Sequence, residues 1–314
     1  MACRKPIPAW RSSDLSDRRM VFNENYGLPN TRTWIECGQC SFCRLKKARE
    51  WAHRCCHEAS MHQNNSFITL TYGEEYLTWA DHRPTLYHRD VELFFKSFRK
   101  RLKGKQIRYF MCGEYGEEFL RPHYHICLFG YDFPDRQVLK KSGEYYLFIS
   151  EELSKVWKLG HHTIGEMSFD TACYTARYTF KKVTGLAKDE HYGTYTDDFG
   201  HNRYILQPEY SAQSRRPGIA RGWYEKYKDD LYNYDICVTK PTFVSKPPRY
   251  YDRLLSVEDP LRYARVKAAR RKKVQQDPDF VELERLMKVD EEKQKRLHRF
   301  YENCLTIPYQ YANG

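Results

Sequence analysis

The stretch "RPHYHICLFG" at residues 121–130 places two histidines one residue apart in a run that predicts a β-strand. Successive side chains of a strand point to opposite faces, so His123 and His125 share one face while Tyr124 and Ile126 share the other. The apolar face can pack on a core, and the imidazole face suits a shared divalent cation. A hydrogen-bonded polar edge and a chance pair are the alternatives, and the surrounding sequence has to distinguish them.

The preceding segment predicts the partner of this strand. Residues 107–116, "IRYFMCGEYG", have the pattern of a strand, and the Gly- and Glu-rich turn that follows predicts a β-hairpin. Glu114 then lies beside the imidazoles of His123 and His125. With a carboxylate oxygen in the set, Mg²⁺ or Mn²⁺ becomes the expected ion. An ordinary surface position for Glu114 is the alternative.

A basic helix is predicted from "VELFFKSFRKRL" at residues 91–102, where apolar side chains recur at helical spacing. Its remaining surface carries Lys96, Arg99, Lys100 and Lys103, which we call the basic face. We expect the basic face, Arg121 and "RVKAARRKK" at 265–273 to contact nucleic-acid phosphates. A solvated charged surface is the common alternative.

The other patterns complete an α+β prediction, in which helices flank a central, mostly antiparallel sheet. We expect irregular structure at 1–36, a helix at 44–62, a strand at 67–72, a short helix in 147–160 closed by Gly160, a strand at 161–168, a surface loop at 188–204 and charged helix at 257–302. The ends of the chain are then a Cys-rich N-terminal segment and a helical C-terminal extension.

Composition favours a folded protein with a polyanionic partner. Of 314 residues, 41% are hydrophobic and 16% aromatic, which is enough for a substantial core. Lys and Arg outnumber Asp and Glu by 53 to 41, and the net charge of +12 favours a nucleic acid or a membrane surface. No apolar run approaches the roughly 18 residues that cross a bilayer, and no signal peptide is evident, so we expect a cytosolic protein.

The cysteines indicate metal or thiol chemistry. Eleven cysteines, an odd number, are unlikely disulfides in a reducing compartment. Cys37, Cys40 and Cys43 have a spacing that suits structural Zn²⁺ if a fourth ligand exists. The candidates for that ligand are Cys3, Cys55, Cys56 and His57, and Cys3 is favoured because it would tether the N-terminus. An iron–sulfur site and buried unliganded thiols are the alternatives.

A second helix predicts a nucleophile. "DTACYTARYTFKKVTG" at residues 170–185 begins with Asp170 as a cap and ends with Gly185. Steps of four place Tyr174, Tyr178 and Lys182 on one face, with Lys181 alongside. The chain has 26 tyrosines, so simple packing is a strong alternative. A phenol can nonetheless attack phosphorus if a nearby cation favours its ionised form and a metal polarises the phosphate.

The order "FITLTY", "RPHYH", "YTARYTFKK" resembles the HUH endonucleases, the rolling-circle replication initiators. The chain is most similar to the initiators of microviruses of the gokushovirus type, since "CGQCSFC", "GEYG", "RRPGI" and "PPRYYDR" also occur in order over about residues 3–255. The resemblance implies an HUH core in which His123 and His125 bind the metal that positions the scissile phosphate. It also implies that a tyrosine on a helix attacks, leaving a 5′-phosphotyrosine and a free 3′-hydroxyl.

Two tyrosines have a further meaning in that family. One of Tyr174 and Tyr178 would cleave the origin, and the other would cleave the regenerated origin so that the 3′-hydroxyl releases a closed circle. Which acts first stays open. The implied domains are 1–65, a Cys-rich segment and helix; 66–186, the HUH core; 187–255, a family-specific insertion and flank; and 256–314, the basic helical extension.

The sequence contains no phosphate-binding motif G-x-x-x-x-G-K followed by Ser or Thr. We therefore expect a single-stranded DNA origin as substrate, host helicase and polymerase as partners, no membrane partner, and the host cytoplasm as location. A non-catalytic single-stranded nucleic-acid-binding protein is the main rival. A related HUH relaxase or transposase is the second.

Overall fold

Strands and helices alternate along most of the chain. The computed structural model describes residues 3–14, 16–17, 19–80, 83–116, 119–143, 145–178, 182–183, 187–240 and 243–275. The strands are β1 Ile7–Arg11, β2 Met20–Val21, β3 Thr33–Ile35, β4 Asn65–Tyr72, β5 Trp79–Ala80, β6 Arg83–Pro84, β7 Arg108–Tyr115, β8 Pro122–Phe129, β9 Gln137–Ser142, β10 Tyr145–Ile149, β11 Gly160–Gly165, β12 Thr194–Thr196, β13 Asn202–Tyr204, β14 Tyr210–Gln213, β15 Cys237–Lys240 and β16 Phe243–Ser245. The helices are α1 Ser41–Ala59, α2 His88–Arg101, α3 Glu151–Ser154, α4 Phe169–Tyr178, α5 Ala187–Tyr192, α6 Arg221–Tyr234, α7 Arg249–Glu258 and α8 Pro260–Gln275.

A seven-stranded sheet in the order β14-β7-β8-β4-β11-β10-β9 forms the centre of the fold. Every neighbouring pair in it is antiparallel, which confirms the predicted sheet type. The predicted hairpin is β7 and β8. Strand β8 is buried along its whole length because it pairs on both edges and is covered on both faces. It lies next to the middle strand β4.

The two faces of the sheet carry separate apolar clusters, as strand alternation requires. On one face, Ile126 and Leu128 pack with Phe94 and Phe98 of α2. On the other, Cys127 and Phe129 belong to a cluster that includes residues of α1 and α4. Each fully buried large apolar side chain contributes roughly 1.5–3 kcal/mol.

Small side chains set the contact between α1 and α4. Ala48 and Ala52 of α1 and Ala172 and Ala176 of α4 are all fully buried in the same cluster. With no bulk beyond Cβ, these residues let the two helices approach closely, and the interior packing leaves little room for either to shift. Helix α4 is therefore held against the sheet face that carries His123 and His125.

Several local predictions were wrong. The segment predicted as irregular at 1–36 contains the three-stranded sheet β2-β1-β3. The segment predicted as a loop at 188–204 contains most of α5 and the hairpin β12–β13. These strands are short and largely exposed, so they lack the apolar periodicity that would have marked them.

The short helix predicted within 147–160 is a single turn, α3, because the apolar "LFI" before it completes strand β10. Ser150 caps this turn by accepting a hydrogen bond from the Leu153 N–H. Gly160 does not close a helix but begins β11, at φ +144°, where a Cβ would lie 2.1 Å from the Gly73 nitrogen. Only glycine fits there.

The C-terminal prediction is only partly visible. Up to residue 275, the charged region forms α7 and α8, which meet at Asp259 and Pro260, and residues 276–302 lie outside the described part. The proposed domain limits stay a prediction, although β14, from the predicted flank, is an edge strand of the main sheet. Within the described residues, no helix combines the length and apolarity needed to span a bilayer.

Candidate active site

The register of β7 and β8 brings a carboxylate to the two histidines. Glu114 pairs with His123, and Cys112 pairs with His125. Directly paired residues of antiparallel strands point to the same face, so Glu114, His123 and His125 all face α1 and α4. The hairpin expected from the sequence thus places the three predicted ligands together.

Both imidazoles meet one oxygen of the carboxylate. The Nε2 atoms of His123 and His125 lie 2.8 and 3.0 Å from Glu114 Oε1, and all three side chains are buried. Ligands at about 2.1 Å from a Mg²⁺ ion, at right angles, lie about 3.0 Å apart. Glu114 Oε2 is buried and has no hydrogen-bond partner among the described residues. The donor set and this unsatisfied oxygen fit a divalent cation.

Neighbouring groups orient the two rings. His123 Nδ1 lies 3.0 Å from the carbonyl oxygen of Arg121, to which it donates, and His125 Nδ1 lies 3.1 Å from Thr69 Oγ1. These contacts direct both Nε2 atoms inward, as supports of metal-binding histidines do. Sequence reasoning missed Thr69, although the alternation of "FITLTY" puts Phe67, Thr69 and Thr71 on one face.

The carboxylate stays ionised despite its burial. Burial by itself raises the pKa of Glu114, but hydrogen bonds from His123 and His125, and their charge when protonated, outweigh it and lower the pKa. The site therefore keeps one anionic ligand at neutral pH. Binding of a cation would displace protons from the Nε2 atoms.

Helix α4 brings both predicted tyrosines to the histidines. The ring of His125 lies 4.9 Å from that of Tyr174 and 5.6 Å from that of Tyr178, centre to centre. The two tyrosine rings are 4.4 Å apart. Burial, followed by the proximity of Tyr178 and Glu114, raises the pKa of Tyr174. A phenolate at Tyr174 therefore needs an added positive charge.

The start and end of α4 differ from the prediction. The cap is Ser168 rather than Asp170: Ser168 Oγ accepts from the Thr171 N–H at 3.1 Å, and Thr171 Oγ1 accepts from the Ser168 N–H at 2.8 Å. This reciprocal pair satisfies two N–H groups at once, which one carboxylate at Asp170 does not. Within the described residues α4 ends at Tyr178.

The predicted lysines are not placed on this helix. Lys182 lies in a half-buried segment without regular structure, so the helical stripe expected from the four-residue spacing does not extend to it. Lys181 falls outside the described residues. The roles of both lysines stay predictions.

The cysteine cluster, Cys3, Cys37, Cys40 and Cys43, forms a second candidate metal centre. All four sulfur atoms lie within 4.8 Å of one another, with Cys3 Sγ at 3.5 Å from Cys37 Sγ and 3.9 Å from Cys40 Sγ. Zn–S bonds of about 2.3 Å in a tetrahedron put the sulfurs about 3.8 Å apart. The geometry thus supports Cys3 as the fourth ligand over Cys55, Cys56 and His57.

A thiolate is already favoured in this cluster. Burial alone would raise the pKa of Cys37, but hydrogen bonds from the backbone N–H groups of Cys40 and Gln39 lower it to about 6. Among the described residues no disulfide joins any cysteine. Bound metal would link the strand segment at 3–36 to the start of α1.

The predicted DNA contacts occupy different positions. All four residues of the basic face are exposed. Arg121 instead donates to the Tyr72 carbonyl oxygen at 2.9 Å and to Glu74 Oε2 at 2.5 Å, next to the histidine strand. Within 265–273, Arg270 is engaged in ion pairs with Asp235 and Asp252, which attach α8 to the fold.

Comparison with known proteins gives related sequences. Residues 65–183, which contain Glu114, both histidines and both tyrosines, match the family model of the replication-associated protein ORF2. Replication-associated protein ORF2 of Spiroplasma virus 4 is 32% identical over 249 residues, 76% of this chain and 72% of that protein. Replication-associated protein VP4 of Bdellovibrio phage phiMH2K is 30% identical over 68% of this chain and 65% of its own length. Replication-associated protein ORF4 of Chlamydia phage 1 is 30% identical over 59% and 46%. No solved structure matches significantly.

Proposed function

Because the chain belongs to the replication-associated proteins of these microvirus-like phages, we propose that it is an HUH-type endonuclease and strand transferase that begins and ends rolling-circle replication. Its substrate is a single-stranded DNA origin. The observation that carries the proposal is the meeting of Glu114, His123 and His125 with Tyr174 and Tyr178 on one sheet face.

The three ligands would hold the cofactor. Mg²⁺ or Mn²⁺ bound by Glu114, His123 and His125 supplies charge that polarises the scissile phosphate and neutralises its oxygens. Thr69 and the Arg121 carbonyl keep the rings of the histidines oriented for this task. The fixed ligand geometry limits the positions that a phosphate can occupy beside α4.

A tyrosine of α4 performs the attack. The phenol loses its proton, its oxygen forms a bond to phosphorus, and the bond from phosphorus to the 3′-oxygen breaks. The 3′-oxygen takes up a proton and leaves as a free hydroxyl, while the 5′ side stays linked to the protein. The phosphotyrosine keeps the phosphodiester energy, so rejoining needs no nucleoside triphosphate.

The second tyrosine makes termination feasible. Tyr174 and Tyr178 lie in contact, four residues apart, and both approach His125. While one is linked to DNA, the other can cleave the regenerated origin. The new 3′-hydroxyl then attacks the first phosphotyrosine and closes the circle. Lys181 and Lys182 are proposed to favour the phenolate.

The remaining parts of the proposal follow from the surface and the sequence. The basic face and Arg121 contact DNA, Zn²⁺ in the cysteine cluster stabilises the N-terminal region, and helicase and polymerase come from the host. The protein acts in the host cytoplasm. Absence of the phosphate-binding motif from the sequence supports the need for a separate motor.

A covalent-adduct assay tests the chemistry. Labelled oligonucleotides tiling the cognate genome are incubated with Mn²⁺ and resolved under denaturing conditions. We expect adducts with wild-type protein and with each of Tyr174→Phe and Tyr178→Phe, and none with the double variant. Phenylalanine keeps the ring packing and removes only the attacking oxygen.

The control and the contrary outcomes are defined in the same assay. Tyr234→Phe alters an exposed tyrosine of α6 and should leave the adduct unchanged. An adduct that survives in the double variant would disprove the tyrosine assignment. DNA binding without any adduct from wild-type protein would instead support the non-catalytic alternative.

A further inference from the structure

A second site lies at the opposite end of the β7–β8 hairpin. A cavity of about 750 Å³ opens beside Arg108, which pairs with Phe129, whereas Glu114 pairs with His123 at the other end. Six residues along a strand, at about 3.4 Å each, separate the two places by about 20 Å. The cavity has the size of ligand sites, which span roughly 300–1,000 Å³.

The walls of the cavity are rich in arginine. Arg99, Arg108, Arg215 and Arg216 line it together with one carboxylate, Glu58. Glu58 is neutralised within the wall, since its oxygens accept from Arg108 at 2.5 Å and from the Ala220 N–H at 2.5 Å. The cavity therefore retains an excess of positive charge.

Three of these arginines are available to a ligand. Arg99, Arg215 and Arg216 are exposed, and in the described part of the chain none of them forms an ion pair with a carboxylate. Arg99 lies over the ring of Tyr109 at 5.7 Å, which positions its guanidinium at the rim. Guanidinium groups that converge in this way match the geometry of phosphate oxygens.

Aromatic rings accompany the arginines. Tyr109 and Trp223 are half-buried and line the same cavity. Both are braced from behind: Tyr109 stacks on Phe95 at 3.9 Å, and Trp223 stacks on His57 at 3.6 Å. Cationic groups that follow a backbone, combined with rings on which bases stack, characterise sites for single-stranded nucleic acid.

We propose that this cavity binds a nucleotide of the single-stranded DNA substrate at a distance from the cleavage centre. Arg99, Arg215 and Arg216 bind its phosphate, and its base stacks on Tyr109 or Trp223. The inference rests on the proposed function, because the ligand is the same DNA strand. It adds a second anchor, so that a long strand is held both at the histidines and at the far end of the hairpin.

The test compares Arg215→Gln/Arg216→Gln with a charge-matched control, Arg253→Gln/Lys141→Gln, whose residues are exposed and do not line the cavity. Affinity is measured against salt for oligonucleotides of roughly 4–16 nucleotides. Loss of two phosphate contacts should lower the salt slope by about 1.4 for the long oligonucleotides. We expect about a tenfold loss of affinity for them, and no change for the shortest, cleavage-site oligonucleotide.

A salt slope and affinity equal to those of the control double variant would overturn the proposal. Deoxyadenosine monophosphate provides a second arm. If the wild-type protein binds it as tightly as a long oligonucleotide and the cavity variant does not, the cavity is a site for free nucleotides and the strand anchor is refuted.

A direct measurement keeps the proposal falsifiable even if the variant folds poorly. Photocrosslinking of a long oligonucleotide carrying 5-iododeoxyuridine should label the peptides that contain Tyr109 or Trp223, and labelling confined to other peptides would disprove it. Binding and cleavage separate the two proposals. A wild-type protein that never forms an adduct but shows the expected slope change refutes the nuclease and retains the cavity, while normal adducts with an unchanged slope do the reverse.

Discussion

Replacing Glu114 with glutamine should remove most of the stabilisation that a divalent ion gives this protein. Glu114 supplies the only negative charge among the three described ligands of the candidate centre, and its Oε2 is buried without a partner. Glutamine keeps the size of the side chain and removes the charge. The measurement is the melting temperature, Tm, with Mn²⁺ or Mg²⁺ and with a chelator.

The size of the effect follows from linkage. An ion at 100 times its Kd stabilises the folded state by about 2.7 kcal/mol. One kcal/mol shifts Tm by roughly 2–4 °C in chains of this order, so the wild-type protein should gain roughly 5–10 °C. Loss of a group that only supports a ligand weakens metal binding roughly 10–100-fold, so loss of a ligand should reach about 100-fold. The same ion concentration then gives about 0.4 kcal/mol, or roughly 1 °C.

Glu74→Gln is the matched control for this experiment. Glu74 pairs with Arg121 close to the same site, but its side chain is 68% exposed and is not among the three ligands. We expect this variant to keep the full ion-dependent shift in Tm. The reasoning is refuted if Glu114→Gln also keeps it, or if the wild-type protein shows no shift with either ion.

Three other outcomes are expected. Substitution of His123 or His125 by alanine should lower cleavage by orders of magnitude while single-stranded DNA binding survives, because the ion acts on the phosphate during the reaction; retained nicking in the double variant would contradict this. Metal analysis of purified protein should find zinc in the wild type, and Cys3→Ser should lower both the zinc content and Tm, whereas equal zinc in both would exclude Cys3 as a ligand. Burial lowers the pKa of His53 to about 4 and of His57 to about 3, so stability should fall as pH drops below about 6.5, by about 4 kcal/mol for the pair at pH 5, and a urea midpoint that is flat between pH 7 and 5 would contradict it.

The candidate centre could be predicted because its residues belong to long, regular elements. Alternation alone assigns His123 and His125 to one face, and the short turn after β7 fixes the register that pairs Glu114 with His123. The tyrosines share one face of α4 because they are four residues apart. These relations depend on local geometry, which the sequence specifies directly.

The remaining features depend on contacts between distant segments. The cavity combines Arg99 of α2 with Arg215 and Arg216, more than a hundred positions later, and no local pattern joins them. The small sheet at 1–36 has few buried residues to mark it. The cap at Ser168 was missed for a different reason, since Asp170 is an equally good cap by residue type and only the hydrogen bonds distinguish the two.

The burial of β8 on both faces restricts how this protein can change over generations. Inserting or deleting one residue within Pro122–Phe129 would turn every later side chain to the opposite face, so that imidazoles would enter the apolar cluster of α2 and Ile126 would meet Tyr174. No single compensating substitution repairs such a slip, because each side chain of the strand is displaced together. Descendants of this gene can lengthen or shorten exposed segments such as 188–204 by small steps, whereas the length of the histidine strand is inherited as a unit.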